Sequence, residues 1–338
     1  MSERKKRVLV VGAGGFTGGF IVGEGLNRGY EVWAGVRAST SRRFLTDPSI
    51  KFVTLDFDEP DSLCATLREA LPEGERWDCI VYNLGATKAL HFMDFSRINH
   101  DYLHSFLEAL KEADMVPERF LYMSSLSVMG PGDEKGYTPF TTTSIPRPDT
   151  RYGTSKLKAE TCLETSGVPY IIFRCTGIYG PHEKDYYLMF KSIASGVDFS
   201  VGYRKQMLTF IYVEDLAKAI YDALEKAPAN RKYLISEERA YTQKEFRTIA
   251  ARKLGKRHVL PIVAPIWALR CVCAVSGMIG KIRGKAMTLN PDKYRIMRQR
   301  NWQADVSAAK ADFGFKAPTS LEQGVSKAVD WYRQAGWL

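Results

Sequence analysis

A glycine-rich turn between a buried strand and a helix constrains this chain more than any other feature. The strand Arg7 to Val11 reads RVLVV, and GAGGFTG at 12–18 follows it directly. Glycine permits the tight turn and lets the backbone approach a pyrophosphate, which then lies on the helix N-terminus. The glycine spacing alone is a weak signal in a chain with 27 glycines, but the order strand, glycines, helix is specific. It predicts dinucleotide contacts from Gly12, Gly15, Phe16, Thr17 and Gly18.

The first half of the chain alternates short apolar strands with amphipathic helices, which is typical of a parallel sheet covered on both faces. We therefore predict an α/β fold, a Rossmann-type doubly wound parallel sheet with a smaller, mainly helical C-terminal substrate lobe. The predicted strands are 7–11, 31–36, 51–55, 79–83, 119–124, 170–174 and 209–213. The predicted helices are 15–28, 99–113, one from about 152, and 214–225, and the last hundred residues are expected to be helical.

This pattern also suggests a division into domains. We expect residues 1–176 to form the dinucleotide-binding domain, with 206–234 returning to it. Residues 177–205 and 235–310 would form the substrate lobe, and 311–338 a C-terminal helix. The chain shows no repeat and no long flexible linker.

The second predicted strand ends at a basic residue, Arg37, 19 positions after Gly18. An acidic residue there would bind the ribose 2′-hydroxyl of NAD, whereas arginine can accommodate the 2′-phosphate of NADP. Nearby polar and basic residues could add phosphate contacts, namely Ser39, Thr40, Arg42 and Arg43. NADP is therefore favoured over NAD, although a solvated basic loop would look the same. Asp56, after the third strand, either accepts from the adenine amino group or forms a turn.

Tyr152 and Lys156 are spaced i, i+4 and so share one helix face. An ammonium near the phenol favours the phenolate and lowers the tyrosine pKa toward the range useful for proton transfer. With 17 tyrosines such a pair arises by chance, and Tyr187 with Lys191 repeats it. Context separates the two pairs, because Tyr152 opens a helix soon after the fifth strand closes with Ser125. The carboxyl ends of strands flank the cofactor crevice.

Taken in order, these motifs resemble the extended short-chain dehydrogenases/reductases, the NAD-dependent epimerase/dehydratase family. The further markers are LDFD at 55–58, NLGA at 83–86, MSSLSVMG at 123–130, YGTSK at 152–156, FRCTGIYGP at 173–181 and FIYVEDLAKAI at 210–220. The resemblance implies that Ser125 is the catalytic serine, Tyr152 the acid/base and Lys156 the residue that holds the nicotinamide ribose. It implies a structural or proton-relay role for Asn99. Further cofactor contacts follow from the same resemblance: Asp56, Phe57, Leu84, Gly85, Ala86 and Ile178.

Departures from the family pattern bear on the substrate. Nucleotide-sugar epimerases resemble R-D-[FY]-[IV]-H-V where this chain has Leu208 in place of the arginine, and their R-x-G-D motif is absent near Arg300. The dehydratase Thr-Asp-Glu triplet is replaced by Ser-Leu-Ser at 125–127. The chain looks more like the 3β-hydroxysteroid dehydrogenase and dihydroflavonol reductase branch.

The predicted function is therefore an NAD(P)-dependent oxidoreductase of a hydrophobic secondary alcohol or ketone, steroid- or flavonoid-like. The alternative is a nucleotide-sugar epimerase or reductase that uses bound NAD, and a third hypothesis is a noncatalytic NADP-sensing protein or scaffold. Candidate substrate contacts are Ser127, Met189, Phe190, Phe199 and Tyr203. Buried core explains the last four equally well.

Residues 262–280 form a long apolar run that is interrupted by Pro265 and, at its centre, by Arg270. A charge at mid-bilayer is costly, so we do not expect this run to span a membrane. The preferred interpretation is a buried helix over a hydrophobic substrate pocket. The other interpretation is peripheral contact of 262–285 with an anionic membrane, helped by Lys281, Arg283 and Lys285.

The net charge of +10 is local: residues 231–300 hold 17 basic and 4 acidic residues, and the rest of the chain holds 31 and 34. No nucleic-acid motif accompanies it, so the expected partner is a small molecule rather than nucleic acid. The six cysteines show neither a C-x-x-C pair nor a His/Cys cluster, which favours reduced thiols, no metal and a cytoplasmic protein, with membrane association left open. The apolar run after MSERKK is too short for a signal peptide. The family resemblance implies a homodimer through 99–113 and 152–166.

Overall fold

The computed structural model describes residues 4–89, 91–284 and 287–338 of the chain. Its strands are β1 Arg7–Val11, β2 Glu31–Val36, β3 Lys51–Thr54, β4 Cys79–Tyr82, β5 Arg119–Ser125, β6 Tyr170–Cys175, β7 Gly177–Tyr179, β8 Val197–Val201, β9 Met207–Leu208, β10 Phe210–Tyr212, β11 Arg231–Ile235, β12 Tyr241–Thr242 and β13 Leu260–Ala264. Its α-helices are α1 Phe16–Asn27, α2 Pro60–Glu69, α3 Phe92–Ser96, α4 Tyr102–Glu112, α5 Arg151–Thr165, α6 Asp185–Ala194, α7 Val213–Lys226, α8 Gln243–Lys253, α9 Ile266–Arg283, α10 Pro291–Arg298, α11 Ser307–Phe313 and α12 Leu321–Gln334. A π-helix covers Arg97–Asp101 and a 3-10 helix covers Leu126–Met129.

A seven-stranded sheet organises the molecule in the order β3-β2-β1-β4-β5-β6-β11. Every neighbouring pair in it is parallel. The strand order reverses at β1, and in such sheets ligands bind beyond the carboxyl ends of the strands at that point. The predicted fold class is therefore confirmed, and the glycine turn after β1 lies at the switch point.

Both faces of the sheet are covered, because its strands are apolar on both sides. One face packs against α1 and α7 through residues such as Ile21 and Leu216. The other packs against α2, α4 and α5 through residues such as Leu63, Leu107 and Ala159. The sheet and its carboxyl edge are thereby held rigidly from two sides.

Two expectations about secondary structure are wrong in detail. The predicted helix 99–113 is a π-helix over Arg97–Asp101 that continues as α4. The last hundred residues are not all helical, because they include β12, β13 and, nearby, β11, which pairs with β6 as the seventh strand of the sheet. Strand β11 begins with the charged Arg231 and Lys232, so its sequence lacks a clear strand pattern. It forms a strand because it pairs with the edge of β6.

The C-terminal lobe has a core of its own. Helices α6, α8 and α12 pack around β7 and β10, and Phe190, Phe246 and Tyr332 lie at the centre. Helix α11 packs against the sheet instead, since Phe313 stacks on Phe173 with ring centroids 5.9 Å apart. The division into domains stated above remains a proposal.

The apolar run 262–280 differs most from what we expected. It divides into β13 and α9, and α9 buries only a stripe that includes Leu269 and Cys273 against Leu289, Tyr294 and Met297. Most of its other apolar side chains are exposed, so the preferred interpretation as a buried helix is wrong. Among the described residues, α10 is the helix packed most closely against α9.

Candidate active site

The glycine turn has the geometry that a dinucleotide phosphate requires. Gly12 has a φ of +82°, and a Cβ added to it would lie 2.9 Å from the Leu84 nitrogen. A Cβ on Gly18 would collide with the carbonyl oxygen of Gly12. Helix α1 then begins at Phe16 with no acidic residue in its first turn, so its free N–H groups and positive end point at this turn. Thr17 is buried and Phe16 half-buried beside them.

The basic loop after β2 lies against the glycine turn. The Arg37 backbone N–H donates to Thr40 Oγ1 at 3.1 Å, and a Cβ on Gly14 would collide with the Thr40 methyl group. Arg37 is exposed, whereas the guanidinium groups of Arg42 and Arg43 lie over the rings of Phe52 and Phe44. Among the described residues, Arg42 and Arg43 each have an aromatic partner and Arg37 has none. Arg37 is therefore the cation of this loop that is left beside the turn.

The LDFD segment has a structural explanation. The Asp56 carboxylate accepts the Asp58 backbone N–H at 3.0 Å, which is the turn-forming role. The Phe57 ring is buried and stacks on Tyr102 with centroids 5.2 Å apart. The side chains of both residues are therefore engaged within the fold.

Asn99 connects the loop after β4 to helix α5, which carries the predicted catalytic residues Tyr152 and Lys156. Its Oδ1 accepts the Ala86 N–H at 2.8 Å, and its Nδ2 donates to the Ala86 carbonyl at 3.1 Å and to Ser155 Oγ at 2.8 Å. The side chain is fully buried in the π-helix, a conformation that often marks functional sites. A Cβ on Gly85 would lie 2.9 Å from Lys156 Nζ and 3.0 Å from Asn99 Oδ1, so a side chain at position 85 would displace these two groups.

Ser125, Tyr152 and Lys156 meet at the carboxyl end of β5. The Ser125 hydroxyl forms a hydrogen bond with the Tyr152 phenol, and it accepts the Ser127 N–H at 3.2 Å. Lys156 Nζ donates to the Met123 carbonyl at 2.8 Å and lies 4.7 Å from the centroid of the Tyr122 ring. The structure therefore brings the predicted catalytic residues together. Tyr187, of the chance pair, lies elsewhere and donates to the carbonyl of Trp337.

The pKa of Tyr152 differs from the sequence expectation. Burial raises it to about 12, against the smaller lowering effect of the hydrogen bond with Ser125. Lys156 is not among the causes of this shift, and its ammonium donates to the Met123 carbonyl. Burial lowers the pKa of Lys156 to about 8, with the nearby Glu160 carboxylate opposing that change. Tyr152 is therefore a neutral phenol at neutral pH.

A buried ion pair that the sequence did not predict lies behind the site. Arg174 Nη2 lies 2.6 Å from Glu160 Oε2, with both side chains almost fully buried. Ser124 Oγ also donates to this carboxylate, at 2.5 Å. The pair ties α5 to β5 and β6, and so fixes Lys156 one turn away. The spacing of Glu160, four residues after Lys156, places both side chains on one face of α5, but no feature of the sequence indicates that Arg174 is its partner.

The C-terminal lobe reaches the site through α10. The Tyr152 backbone N–H donates to Asp292 Oδ2 at 3.1 Å, so Asp292 satisfies the first turn of α5. On the other side, Asp185 of α6 pairs with Lys88 at 2.7 Å and with Lys293 at 3.4 Å. These contacts connect the loop after β4 to α6 and α10. Nothing in the sequence linked Asp292 to Tyr152.

The predicted substrate residues are not gathered into one wall. Ser127 lies beside Ser125, but Phe190 is fully buried and stacks on Phe246 in the lobe core. Met189 packs against the same core, and Phe199 and Tyr203 are 63% and 78% exposed. Ile178 is half-buried on β7, where it pairs with Ile211 of β10.

The residues present fit a nicotinamide dinucleotide. The observation is the cradle itself: at Gly12, Gly18 and Gly85 a Cβ would fill space beside the start of α1 and beside Lys156. The turn and the first N–H groups of α1 would hold the pyrophosphate, and Tyr152 and Lys156 the nicotinamide ribose.

Comparisons with known proteins agree with this geometry. The model of the NAD dependent epimerase/dehydratase family matches residues 8–236. The chain is 25% identical to a ceramide reductase of Caulobacter vibrioides over 98% of its length and 96% of the relative, and 26% identical to a UDP-glucose 4-epimerase of Vibrio cholerae over 67% of each. Its fold matches that of a Streptomyces venezuelae dTDP-glucose 4,6-dehydratase solved with NAD, with a TM-score of 0.77, 21% identity and coverage of 98% of both chains. None of these names supports a steroid- or flavonoid-like substrate.

Proposed function

Because the chain belongs to the NAD dependent epimerase/dehydratase family, we propose that it is an oxidoreductase that reduces a ketone on a lipid to a secondary alcohol. The observation that carries this proposal is the meeting of Ser125, Tyr152 and Lys156 at the end of β5, beside the glycine turn. Those residues hold and protonate an oxygen atom, which is what carbonyl reduction requires of the protein.

A nicotinamide cofactor, when bound, supplies the hydride. The chain's own residues bind and protonate the carbonyl oxygen of the substrate. Ser125 Oγ donates a hydrogen bond to the substrate carbonyl oxygen, and Tyr152 donates its phenolic proton to the same atom. The raised pKa of Tyr152 supports the reductive direction, because a neutral phenol is the form that can donate. Asn99 and the Glu160–Arg174 pair hold the surrounding segments in place.

Two observations favour a lipid over a sugar nucleotide. Arg300, the basic residue near the missing diphosphate motif, is buried and donates to the carbonyls of Val201 at 2.7 Å, Arg298 at 2.8 Å and Met297. It is therefore committed within the lobe and not offered to a phosphate. The ceramide reductase, 25% identical to the chain, is also a relative whose name indicates a lipid substrate.

For the cofactor we propose NADPH. Arg37 is exposed, stands beside the glycine turn and occupies the place where an acidic residue would select NAD. NAD is the alternative, since the Streptomyces venezuelae structure contains it.

The second candidate function is a nucleotide-sugar epimerase with bound NAD. The similarity to the Vibrio cholerae UDP-glucose 4-epimerase and the fold shared with a dTDP-glucose dehydratase favour it. Arg204 is largely exposed and could bind a phosphate, although its guanidinium donates to the Glu134 carbonyl at 2.8 Å and lies 3.7 Å from the Glu134 carboxylate.

The test offers the purified protein two substrates, an N-acyl 3-ketosphinganine with NADPH or NADH, and UDP-glucose without added cofactor. We expect NADPH oxidation with the keto lipid and no conversion of UDP-glucose. Tyr152→Phe should lower the reduction rate by about 10²–10⁴-fold and weaken NADPH binding far less, because the turn and Lys156 still hold the cofactor. Conversion of UDP-glucose without net cofactor turnover would establish the second candidate, and full activity of Tyr152→Phe would refute the assigned role of the phenol.

We also propose a cytoplasmic homodimer formed through α4 and α5. A shallow groove runs between these helices, lined by residues that include His104, Leu107, Leu157 and Cys162. Sedimentation of the purified protein tests this, since a monomer at micromolar concentration would contradict it.

A further inference from the structure

The exposed apolar side chains of β8, β13 and α9 form one continuous surface on the C-terminal lobe. We call it the apolar face, and its largest members are Phe199, Leu260, Trp267, Val275, Met278 and Ile282. Phe199 of β8 stands opposite Ile262 of β13 in register, and a Cβ on Gly202 would lie 3.2 Å from Ile266, at the start of α9. Strands β8 and β13 are therefore adjacent, and the start of α9 lies beside the end of β8.

Most of the exposed side chains of α9 are apolar, and Arg270 and Arg283 are the exposed cations among its described side chains. The buried stripe follows Leu269, Cys273 and Gly280, and the positions opposite to it include Trp267, Val275 and Ile282. Trp267 is 70% exposed and Ile282 is 80% exposed. A surface of this kind on a folded protein usually marks an interaction site.

The charge around this face has one sign. From Phe246 to Pro291 the chain has nine Lys and Arg residues and no Asp or Glu. In the part of the chain that the structure describes, no carboxylate forms an ion pair with the exposed Lys256, Arg257, Arg270 or Arg283. Lys285 and the side chain of Lys281 lie outside the described residues.

We infer that the apolar face rests on an anionic membrane surface, with the flanking cations on lipid phosphates and the apolar side chains in the interface. An apolar helix face with an exposed tryptophan and surrounding cations is the pattern of in-plane membrane binding. Two signals of this kind are needed for stable anchoring, and the face supplies both. Within residues 4–89, 91–284 and 287–338, no helix combines the length and apolar character that crossing a bilayer requires.

This orientation places the bilayer close to the catalytic helix. Helix α9 packs on α10, and Asp292 of α10 accepts the backbone N–H of Tyr152. The inference does not rest on the proposed function, because vesicle binding is measured without turnover.

The experiment is flotation of the full-length protein with vesicles of phosphatidylcholine, with and without phosphatidylglycerol. We expect binding to the mixed vesicles that weakens as salt rises, and weaker binding to phosphatidylcholine alone. Trp267→Glu should lower the vesicle-bound fraction at least about tenfold. Its matched control is Met93→Glu, at a residue of nearly equal exposure on α3, which should bind as the unchanged protein does.

The charge contribution is measured separately. Arg270→Gln and Arg283→Gln should each lower partitioning into anionic vesicles about fivefold, whereas Lys226→Gln, at an exposed residue of α7, should have no effect. Brominated lipids should quench the fluorescence of the protein, and Trp267→Phe should remove most of that quenching.

Three outcomes overturn the inference. One is absence of binding to anionic vesicles. Another is binding that Trp267→Glu leaves unchanged. The third is a stable dimer that Trp267→Glu dissociates while vesicles bind neither protein, which would mean that a second copy of the chain covers the face.

Discussion

Helices α5 and α9 differ in which side chains they bury. On α5 the functional groups are buried and paired: Lys156 with a sheet carbonyl, and Glu160 with Arg174 at 2.6 Å. On α9 the long apolar side chains are exposed, and one stripe holds the helix to α10. The difference separates two tasks. Chemistry needs groups fixed within a fraction of an ångström, which burial provides, whereas recognition of a surface needs groups left uncovered.

The largest effect should come from the buried pair of α5. Glu160→Gln leaves the Arg174 guanidinium buried without its counter-charge, and we expect the free energy of unfolding to fall by about 3–5 kcal/mol. The matched control on the same helix is Glu164→Gln, which breaks a partly exposed pair with Lys232 and should cost at most about 1 kcal/mol. Urea denaturation measures both. Equal losses would mean that burial does not distinguish the two pairs.

The second prediction concerns the pH dependence of the site. The pKa of Tyr152 is raised to about 12, so the phenolate that alcohol oxidation needs is a small fraction at neutral pH. That fraction grows about tenfold per pH unit, so kcat for oxidation should rise about a hundredfold between about pH 6 and 8. Reduction, which uses the phenol, should change little over the same range. A plateau in the oxidation rate below about pH 8 would show that the phenol titrates near neutrality.

The third prediction tests a buried carboxyl group of the lobe. Burial raises the pKa of Glu237 to about 7, against a hydrogen bond from Tyr241 that lowers it. The folded protein then holds this proton more tightly than the unfolded chain, so stability falls as pH rises from about 4.5 to 7. Glu237→Gln should remove this loss and raise the free energy of unfolding at about pH 8 by about 2–3 kcal/mol. At about pH 4 it should have little effect. An equal change at both pH values would contradict the raised pKa.

The smallest effects compare the two sides of α9. Leu269→Ala removes a buried side chain from the contact with α10 and should cost about 2 kcal/mol. Val275→Ala lies on the exposed side and should change the free energy of unfolding by less than about 0.5 kcal/mol. Chemical denaturation measures both. A large loss from Val275→Ala would show that another part of the protein covers that side.

Local order made much of the fold predictable. The glycine turn, the pair Tyr152 and Lys156, and Ser125 at a strand end each occupy a few neighbouring residues, and each motif sits on the element that it helps to define. The exposed helix α9 was misjudged for the opposite reason. An apolar run has the same composition whether its face is buried or uncovered, and only the packing of α10 on a single stripe decides between them.

By itself the sequence determined the parallel sheet and the glycine turn, and it predicted the candidate residues of proton transfer, because strand periodicity, glycine geometry and i, i+4 spacing act over short distances. Tertiary structure alone decided that β11 closes the sheet, that Arg174 meets Glu160, and that Asp292 joins the start of α5. It also decided the protonation state of Tyr152, because burial outweighs the nearby hydrogen bond. Contacts between distant segments, and the desolvation that they impose, exist only once the chain has folded.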